Sequence, residues 1–303
     1  STPLYSSAAS DVYKRQERVS RAGLRTPRST RVRTVAEARA AAEKIGYPLV
    51  LKPIAGAGSA DTYKVTSPGE LESTLSKMLH VGEASCEEFI QGEEMTYDTL
   101  CIDGVPAYEN VAHYLPPPLI ARSTEWISPV IITVRDLNQA KTAPGIALGR
   151  KVLGALGMGF THMEWFKKDN GEAVFGEIGC RPGGACLVDQ MNYTGDVDLF
   201  REWGRVMCFG KFEASTVRKY NAAIIFKRAK GNGRITRITG LKEFLRRNGE
   251  HVVEERLLRP GTQRRNWKHT LLSDGHIMLR HQDWDKTYAM AMEAATDVTL
   301  YAE

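Results

Sequence analysis

Two glutamates, Glu164 and Glu177, flank Asp169-Asn170-Gly171, a strong signal for a tight turn between two strands. Counted from Asn170, Glu164 is six residues back and Glu177 seven on, so the two can sit nearly opposite each other across a hairpin. Like charges facing across strands are destabilising unless something neutralises them. Mg²⁺, a hard cation that takes carboxylate and phosphate oxygens, is the natural neutraliser. Arg181 follows four residues after Glu177 on the glycine-rich bend Arg181-Pro182-Gly183-Gly184, and its planar fork suits a phosphoryl group or a carboxylate. Strands alternate faces, so the other reading is that one glutamate faces outward and the pair never meets.

A second group is Lys52 and the small-residue loop 55–60 (AGAGSA). The lysine ends an apolar strand, where a buried ammonium must be paired and a phosphate is a suitable partner. Gly56, Gly58 and Ser59 give a loop whose backbone N–H groups can point at an anion. The chain contains no GxxxxGK[ST], and the loop lacks the third glycine and the following helix of a dinucleotide fingerprint. A tight hairpin with a lysine reaching water fits the same residues. The third group is the run from Glu87 to Glu94 (EEFIQGEE). It is either a surface strand edge, or a hinge whose backbone reads a base while a carboxylate binds sugar hydroxyls.

These residues need elements to hold them. Thr34-Val-Ala-Glu37 and Ser67-Pro-Gly-Glu70 are capping boxes that open helices, the first closed by Gly46 and the second running to about Leu79. Strands are expected at 47–53, 61–66, 85–90, 94–102, 105–113, 130–134, 161–167, 173–178, 222–227 and 276–280. The glycine loop therefore joins two strands as a hairpin. Further helices are expected at 144–156, 197–208, 241–247 and 284–295, and Pro116-Pro117-Pro118 marks a loop. The pattern is α+β with long antiparallel stretches. A small lobe covers 17–88 with its preceding helix, and a larger lobe covers 89–303.

Residues 1–16 carry neither period nor signal-peptide core and resemble translated sequencing-adapter read-through. They read as a non-native or disordered segment, with a disordered natural tail as the alternative. The 303 residues carry a net charge of +5, concentrated in basic clusters at 15–33 and 242–268. With acidic residues interleaved elsewhere and no aromatic-basic motif, these read as solvated surface rather than a nucleic-acid site. No apolar run is long enough for a membrane span. An odd count of five cysteines without a CxxC pair argues against a disulfide framework or zinc ribbon and for a reducing cytoplasm.

In order along the chain, a lysine with a glycine hairpin, an acidic hinge, a carboxylate hairpin and an arginine resemble the ATP-grasp superfamily over roughly 22–208. YPLVLKPIAGAGS looks like its phosphate-binding strand and loop, CEEFIQGEE like its adenine hinge, and THMEWF and GEIGCRPGG like its metal strands. The resemblance implies a two-lobed ATP-grasp fold that binds ATP with two Mg²⁺ or Mn²⁺ ions. It implies that Lys52 contacts phosphates under the backbone of Gly56, Gly58 and Ser59. Glu87 and the backbone of Glu88, Phe89 and Ile90 then hold adenine, Met163 touches the nucleotide, and Glu94 accepts the ribose hydroxyls. Glu164 and Glu177 bind the metals, and Arg181 with Lys52 supports catalysis. The run Thr161-His162-Met163-Glu164 is similar to the amino-acid ligase branch.

Two departures stand out. Gly179 occupies the place of an asparagine metal ligand, and the segment before residue 17 lacks the family's upstream lysine and N-terminal α/β domain. The chain therefore reads as the C-terminal three-quarters of a longer enzyme. The expected reaction activates a small carboxylate as an acyl phosphate and couples it to an amine, releasing ADP and phosphate. The alternatives are a bicarbonate-using carboxylase-like enzyme and a nucleotide-binding module that no longer catalyses. A homodimer is compatible with the resemblance. His113, Tyr114, Arg122, Trp126 and Arg135 lie in the stretch where the family tends to place its acceptor site.

Overall fold

A computed structural model describes residues 14–54, 61–156 and 159–303. Alternation of apolar and polar residues builds two antiparallel sheets. The smaller has the order β1-β4-β2-β3, from β1 (Ser29–Val32), β2 (Leu49–Pro53), β3 (Tyr63–Val65) and β4 (Ala84–Glu88). Helices α2 (Val35–Ile45) and α3 (Pro68–Lys77) cover it, burying Ala38, Ala41, Ile45 and Leu71 against Leu49, Leu51 and Val65. Both helices start where the caps place them. Thr34 accepts from the Glu37 N–H at 3.1 Å, and the Glu37 carboxylate accepts from the Thr34 N–H in return. At α3 the reciprocal bond moves back one residue, and Glu70 takes the Thr66 N–H at 2.7 Å. The β2–β3 hairpin forms with Leu51 opposite Tyr63, while its connecting loop, with Gly56, Gly58 and Ser59, lies outside the described residues.

The larger sheet has eight strands, ordered β13-β14-β10-β7-β6-β5-β8-β9. They are β5 (Glu93–Ile102), β6 (Val105–Leu115), β7 (Val130–Thr133), β8 (Phe160–Lys167), β9 (Ala173–Gly179), β10 (Asn221–Phe226), β13 (Val252–Glu255) and β14 (His276–His281). One face is apolar. Met95, Tyr97, Met163 and Trp165 pack under α5 (Ala143–Leu156), and Ile132, Ile225 and Leu279 pack under α9 (Trp284–Asp297). The opposite face carries Glu94, Thr96, Asp98, His162 and Glu164, since neighbours along a strand point to opposite sides. Helices α6 (Leu187–Gly195) and α7 (Leu199–Phe209) close the far part of that face. A third sheet, β11 (Lys230–Gly231), β12 (Ile235–Thr239) and β15 (Thr299–Ala302), sits beside α8 (Leu241–Asn248) and α9.

Several elements differ from expectation for identifiable reasons. β1 hides in an arginine-rich stretch. α6 follows Cys186, which sits in a left-handed conformation at φ 64° and makes no capping bond, so it carries no start signal. α7 begins at Leu199 rather than at 197 because Asp198 caps it, accepting from the Arg201 N–H at 3.0 Å. Pro118 opens a short helix, α4 (Pro118–Ser123), where a loop was expected. Helix α1 runs through 14–21, and its Val19 is fully buried in the α5 cluster. The basic stretch 15–33 is largely neutralised within the fold: Arg25 and Arg28 meet Glu88, and Arg31 and Arg33 meet Glu83. Among the described residues no helix is long and apolar enough to cross a membrane.

Two glycines set how closely α5 lies on the sheet. A Cβ at Gly145 would stand 2.0 Å from Trp165, and one at Gly149 would stand 2.2 Å from Tyr97. Alanine gains about 1 kcal/mol of helix propensity, but the overlap with a fully buried ring outweighs it. Gly149→Ala is expected to destabilise the protein by about 1–3 kcal/mol, read as a lower midpoint in urea unfolding. An unchanged or higher midpoint would show that the helix can lift without loss.

Candidate active site

Glu164 of β8 and Glu177 of β9 are direct partners across the hairpin. The odd residue in the count is absorbed by a bulge, because Trp165 pairs with Phe175 and Gly176 is left over. A Cβ at Gly176 would lie 2.9 Å from the Glu164 carbonyl oxygen, so the bulge requires glycine. The turn itself closes with Gly171 at φ 83°.

Lys52 reaches this hairpin from the smaller sheet. Its Nζ lies 2.9 Å from the Glu87 carboxylate, which also accepts from Ser85 Oγ at 2.7 Å. Burial disfavours the ammonium, but the charges of Glu87, Glu177 and Glu164 outweigh it and hold the lysine pKa above its usual value. For Glu177, burial and then the charge of Glu164 raise the pKa against the pull of Lys52. Glu94 is pushed up to about 8, first by burial and then by Glu164. Tyr114 projects into the same field and is raised by burial and by Glu164, Asp98 and Glu94.

Beside the pair lies a buried polar chain. His162 Nδ1 sits 2.5 Å from Asp98 Oδ1, and its Nε2 faces Glu164 at 3.9 Å. Burial opposes charge on the imidazole, but Asp98 outweighs it and the pKa rises. Asp98 also accepts from Thr96 Oγ1 and Asn110 Nδ2, and Asn110 accepts from Arg218 at 2.7 Å. The sequence assigns no role to Asp98, and it marks His162 only as part of the run Thr161-His162-Met163-Glu164. The signal was present: Glu94, Thr96 and Asp98 fall on one face of an alternating strand, and His162 is two residues from Glu164.

The carboxylates of Glu87, Glu94, Asp98, Glu164 and Glu177 thus converge with three cationic or cation-forming side chains, Lys52, His162 and Arg181. That excess of negative charge, which together with burial raises Glu177 and Glu94, is what a divalent cation relieves. The donor set of two opposed carboxylates beside a lysine fits Mg²⁺ whose remaining ligands are phosphate oxygens and water.

Other expected residues divide. Glu88 is clamped by Arg25 at 2.9 Å and Arg28 at 3.3 Å, which overcome burial and lower its pKa. Its N–H bonds Arg28 O and that of Phe89 bonds Pro48 O, while the Ile90 N–H has no protein partner among the described residues. The Phe89 ring lies under Lys64 Nζ at 4.1 Å. Met163 corrects an expectation. It is fully buried on the α5 side of β8, facing away from Glu164, so it cannot touch a ligand on the carboxylate face. Arg181 donates to Pro182 O at 2.9 Å, and its stem passes over Gly179, where a Cβ would stand 3.2 Å from Arg181 Cγ.

The five acceptor candidates are dispersed, with only Tyr114 on the carboxylate face. His113 points the other way, edge-on to Trp284, and bonds Glu93, which it and Lys141 hold down at about 2. Arg122 donates to Lys268 O, Trp126 stacks with Arg264, and Arg135 is exposed.

Residues 11–91 match the family model described as carbamoyl-phosphate synthase L chain, ATP binding domain. Over 178 residues the chain is 27% identical to an L-arginine-specific L-amino acid ligase of Bacillus subtilis, covering 56% of this chain and 42% of that protein. Over 229 residues it is 28% identical to an alanine–anticapsin ligase of Bacillus subtilis (strain 168), covering 67% and 48%. The chain therefore spans about half the length of these curated relatives. Among solved structures, an L-amino acid ligase from Bacillus licheniformis matches with a TM-score of 0.77 at 22% identity, over 96% of this chain and 71% of that one. An N5-carboxyaminoimidazole ribonucleotide synthetase from Thermotoga maritima matches with a TM-score of 0.69 at 17% identity, over 96% and 72%.

Glu94 has a pH consequence in the ligand-free protein. Its folded pKa of about 8 lies above the ordinary 4.5, so folding favours the protonated form. Its contribution is complete below pH 4.5 and is lost as the pH rises through about 8. Glu94→Gln, which mimics the protonated carboxyl, is expected to flatten the fall of the melting temperature across that window. A parallel fall in both proteins, followed by calorimetry without nucleotide or metal, would contradict the burial of this charge.

Proposed function

We propose that this chain, which has the ATP-grasp fold, is the nucleotide-binding and catalytic part of an ATP-dependent ligase. The ligase activates a carboxylate as an acyl phosphate and joins it to an amine, releasing ADP and phosphate. The observation that carries the reading is the direct register of Glu164 with Glu177 beside the Lys52–Glu87 pair. Similarity to the amino acid ligases favours amino acids as both acid and amine.

The residues divide the work. Lys52, held charged by its acidic neighbours, can exchange Glu87 for phosphate oxygens without losing a counter-charge. The 55–60 loop, with Gly56, Gly58 and Ser59, is assigned to the same phosphates. The Ile90 N–H, without a partner among the described residues, and the carboxylate of Glu87 suit a base edge, and Glu94 suits ribose hydroxyls. Glu164 and Glu177 would hold Mg²⁺, which would offset charge between nucleotide phosphates. Arg181 crosses a position without a side chain at Gly179, which leaves its guanidinium for the acyl phosphate and the oxyanion formed when the amine attacks. His162, fixed by Asp98, presents its Nε2 to Glu164 and steadies that carboxylate.

Mg·ADP is expected to stabilise the chain, by about 2.7 kcal/mol at a hundred times its dissociation constant. EDTA, Lys52→Ala and Glu177→Ala should each abolish the gain in a thermal-shift assay. ADP release with pairs of amino acids should fall by about two orders of magnitude or more in Glu177→Ala. Stabilisation that survives EDTA and both substitutions would overturn the site. Turnover that needs bicarbonate and no amine would replace the second half-reaction with a carboxylase-like one.

A further inference from the structure

A cavity of about 570 Å³ opens where the end of α9 and the start of β15 meet the residues that follow β10. It adjoins the α9 side of the large sheet and shares no lining residue with the carboxylate cluster. Its size is that of a small-molecule site. Lys227, Arg228 and Lys230 line it, and among the described residues no Asp or Glu does. Trp126, Tyr288 and Met292 supply apolar surface, and both aromatic side chains are substantially exposed.

The buried cations are only partly satisfied. Lys227 is 2% exposed and gives two of its three donors to Ala294 O and Ala295 O, capping the end of α9. Arg228 is 5% exposed; its Nη1 bonds Ala121 O and Thr124 O, but its Nε has no partner. Neither residue forms an ion pair among the described residues. The nearby carboxylates of Glu125 and Asp274 are both taken by Arg264. Burial, then the charge of Lys230, pushes the Lys227 pKa down to about 7, against the pull of Asp297. Arg228 also lies over the Trp267 ring at 4.5 Å and feels Glu125 and Asp274, but among the described residues neither cation is in contact with a counter-ion, and an anion in the cavity would relieve both.

We propose that this cavity is a second ligand site, which takes a small organic anion, a carboxylate or phosphate ester, with an apolar body. The anion lies toward Lys227, Arg228 and Lys230, and the apolar body lies on Trp126 and Tyr288. The site is separate from the nucleotide cluster, so its occupant need not be consumed by the reaction.

The test is calorimetric titration of the chain with 4-phenylbutyrate, with its neutral amide and with inorganic phosphate, each with and without saturating Mg·ADP. Arg228→Ala strips two carbonyls of their donor and risks unfolding, so the variants are Lys230→Glu, at an exposed position, and Tyr288→Ala. The acid should bind at least about tenfold more tightly than the amide and lose about tenfold in either variant, with Mg·ADP making no difference. Equal affinity for acid and amide, or no binding of the acid at about 20 mM, would overturn the proposal. Phosphate binding as tightly as the acid would overturn the apolar half, and competition by Mg·ADP would return the anion to the nucleotide site.

Discussion

Two carboxylates held face to face are the constraint around which this fold is arranged. Glu164 and Glu177 repel each other, and within the hairpin only His162, 3.9 Å from Glu164, offsets that charge among the described residues. A strand pair left to itself would slip by one residue and turn one glutamate outward. Here the slip is blocked. The Gly176 bulge fixes the register, β5 locks the other edge of β8, and Trp165 anchors the opposite face beneath Gly145. The apolar face of the sheet thus stabilises an arrangement that the polar face alone would reject. Such local conflict, held in place by global packing, is typical of functional sites.

The same logic explains the charge pattern around the pair. Lys52 comes from another sheet, so the hairpin's own sequence neighbours do not place it, while Arg181 follows directly from β9 and lays its stem over Gly179. Asp98 and His162 form a buried pair whose far end is tied to Asn110 and Arg218. A polar network of this kind sets the orientation of its members as well as their charge, because each buried donor or acceptor is held by partners fixed elsewhere in the fold.

Much of this was legible in the sequence. The Asn170-Gly171 turn and the six-and-seven count located the opposed glutamates, and the capping residues Thr34 and Ser67 located two helices. The ATP-grasp resemblance was carried by four short runs in order, and the fold bears it out. What the sequence hid is equally specific. Met163 sits beside Glu164, and only the phase of the strand decides that it faces α5. β1 was obscured by arginines whose partners, Glu83 and Glu88, lie fifty or more residues away. α6 has no cap to announce it. His113 and Tyr114 are adjacent and were grouped together, yet the pleat sends them to opposite sides. For β1 the missing information was long-range pairing, for α6 a cap, and for Met163, His113 and Tyr114 the phase of the strand against the core.

The short segment carrying Arg25 and Arg28 bonds both sheets at once. Arg25 O accepts from the Phe175 N–H on β9, and Arg28 O accepts from the Glu88 N–H at the end of β4. The Arg25 guanidinium meets Glu88 and also Glu172 in the hairpin turn. This segment works as a tie between the two sheets. Because one segment is bonded to both, it ties the placement of the strand that carries Glu177 to that of the sheet that carries Lys52.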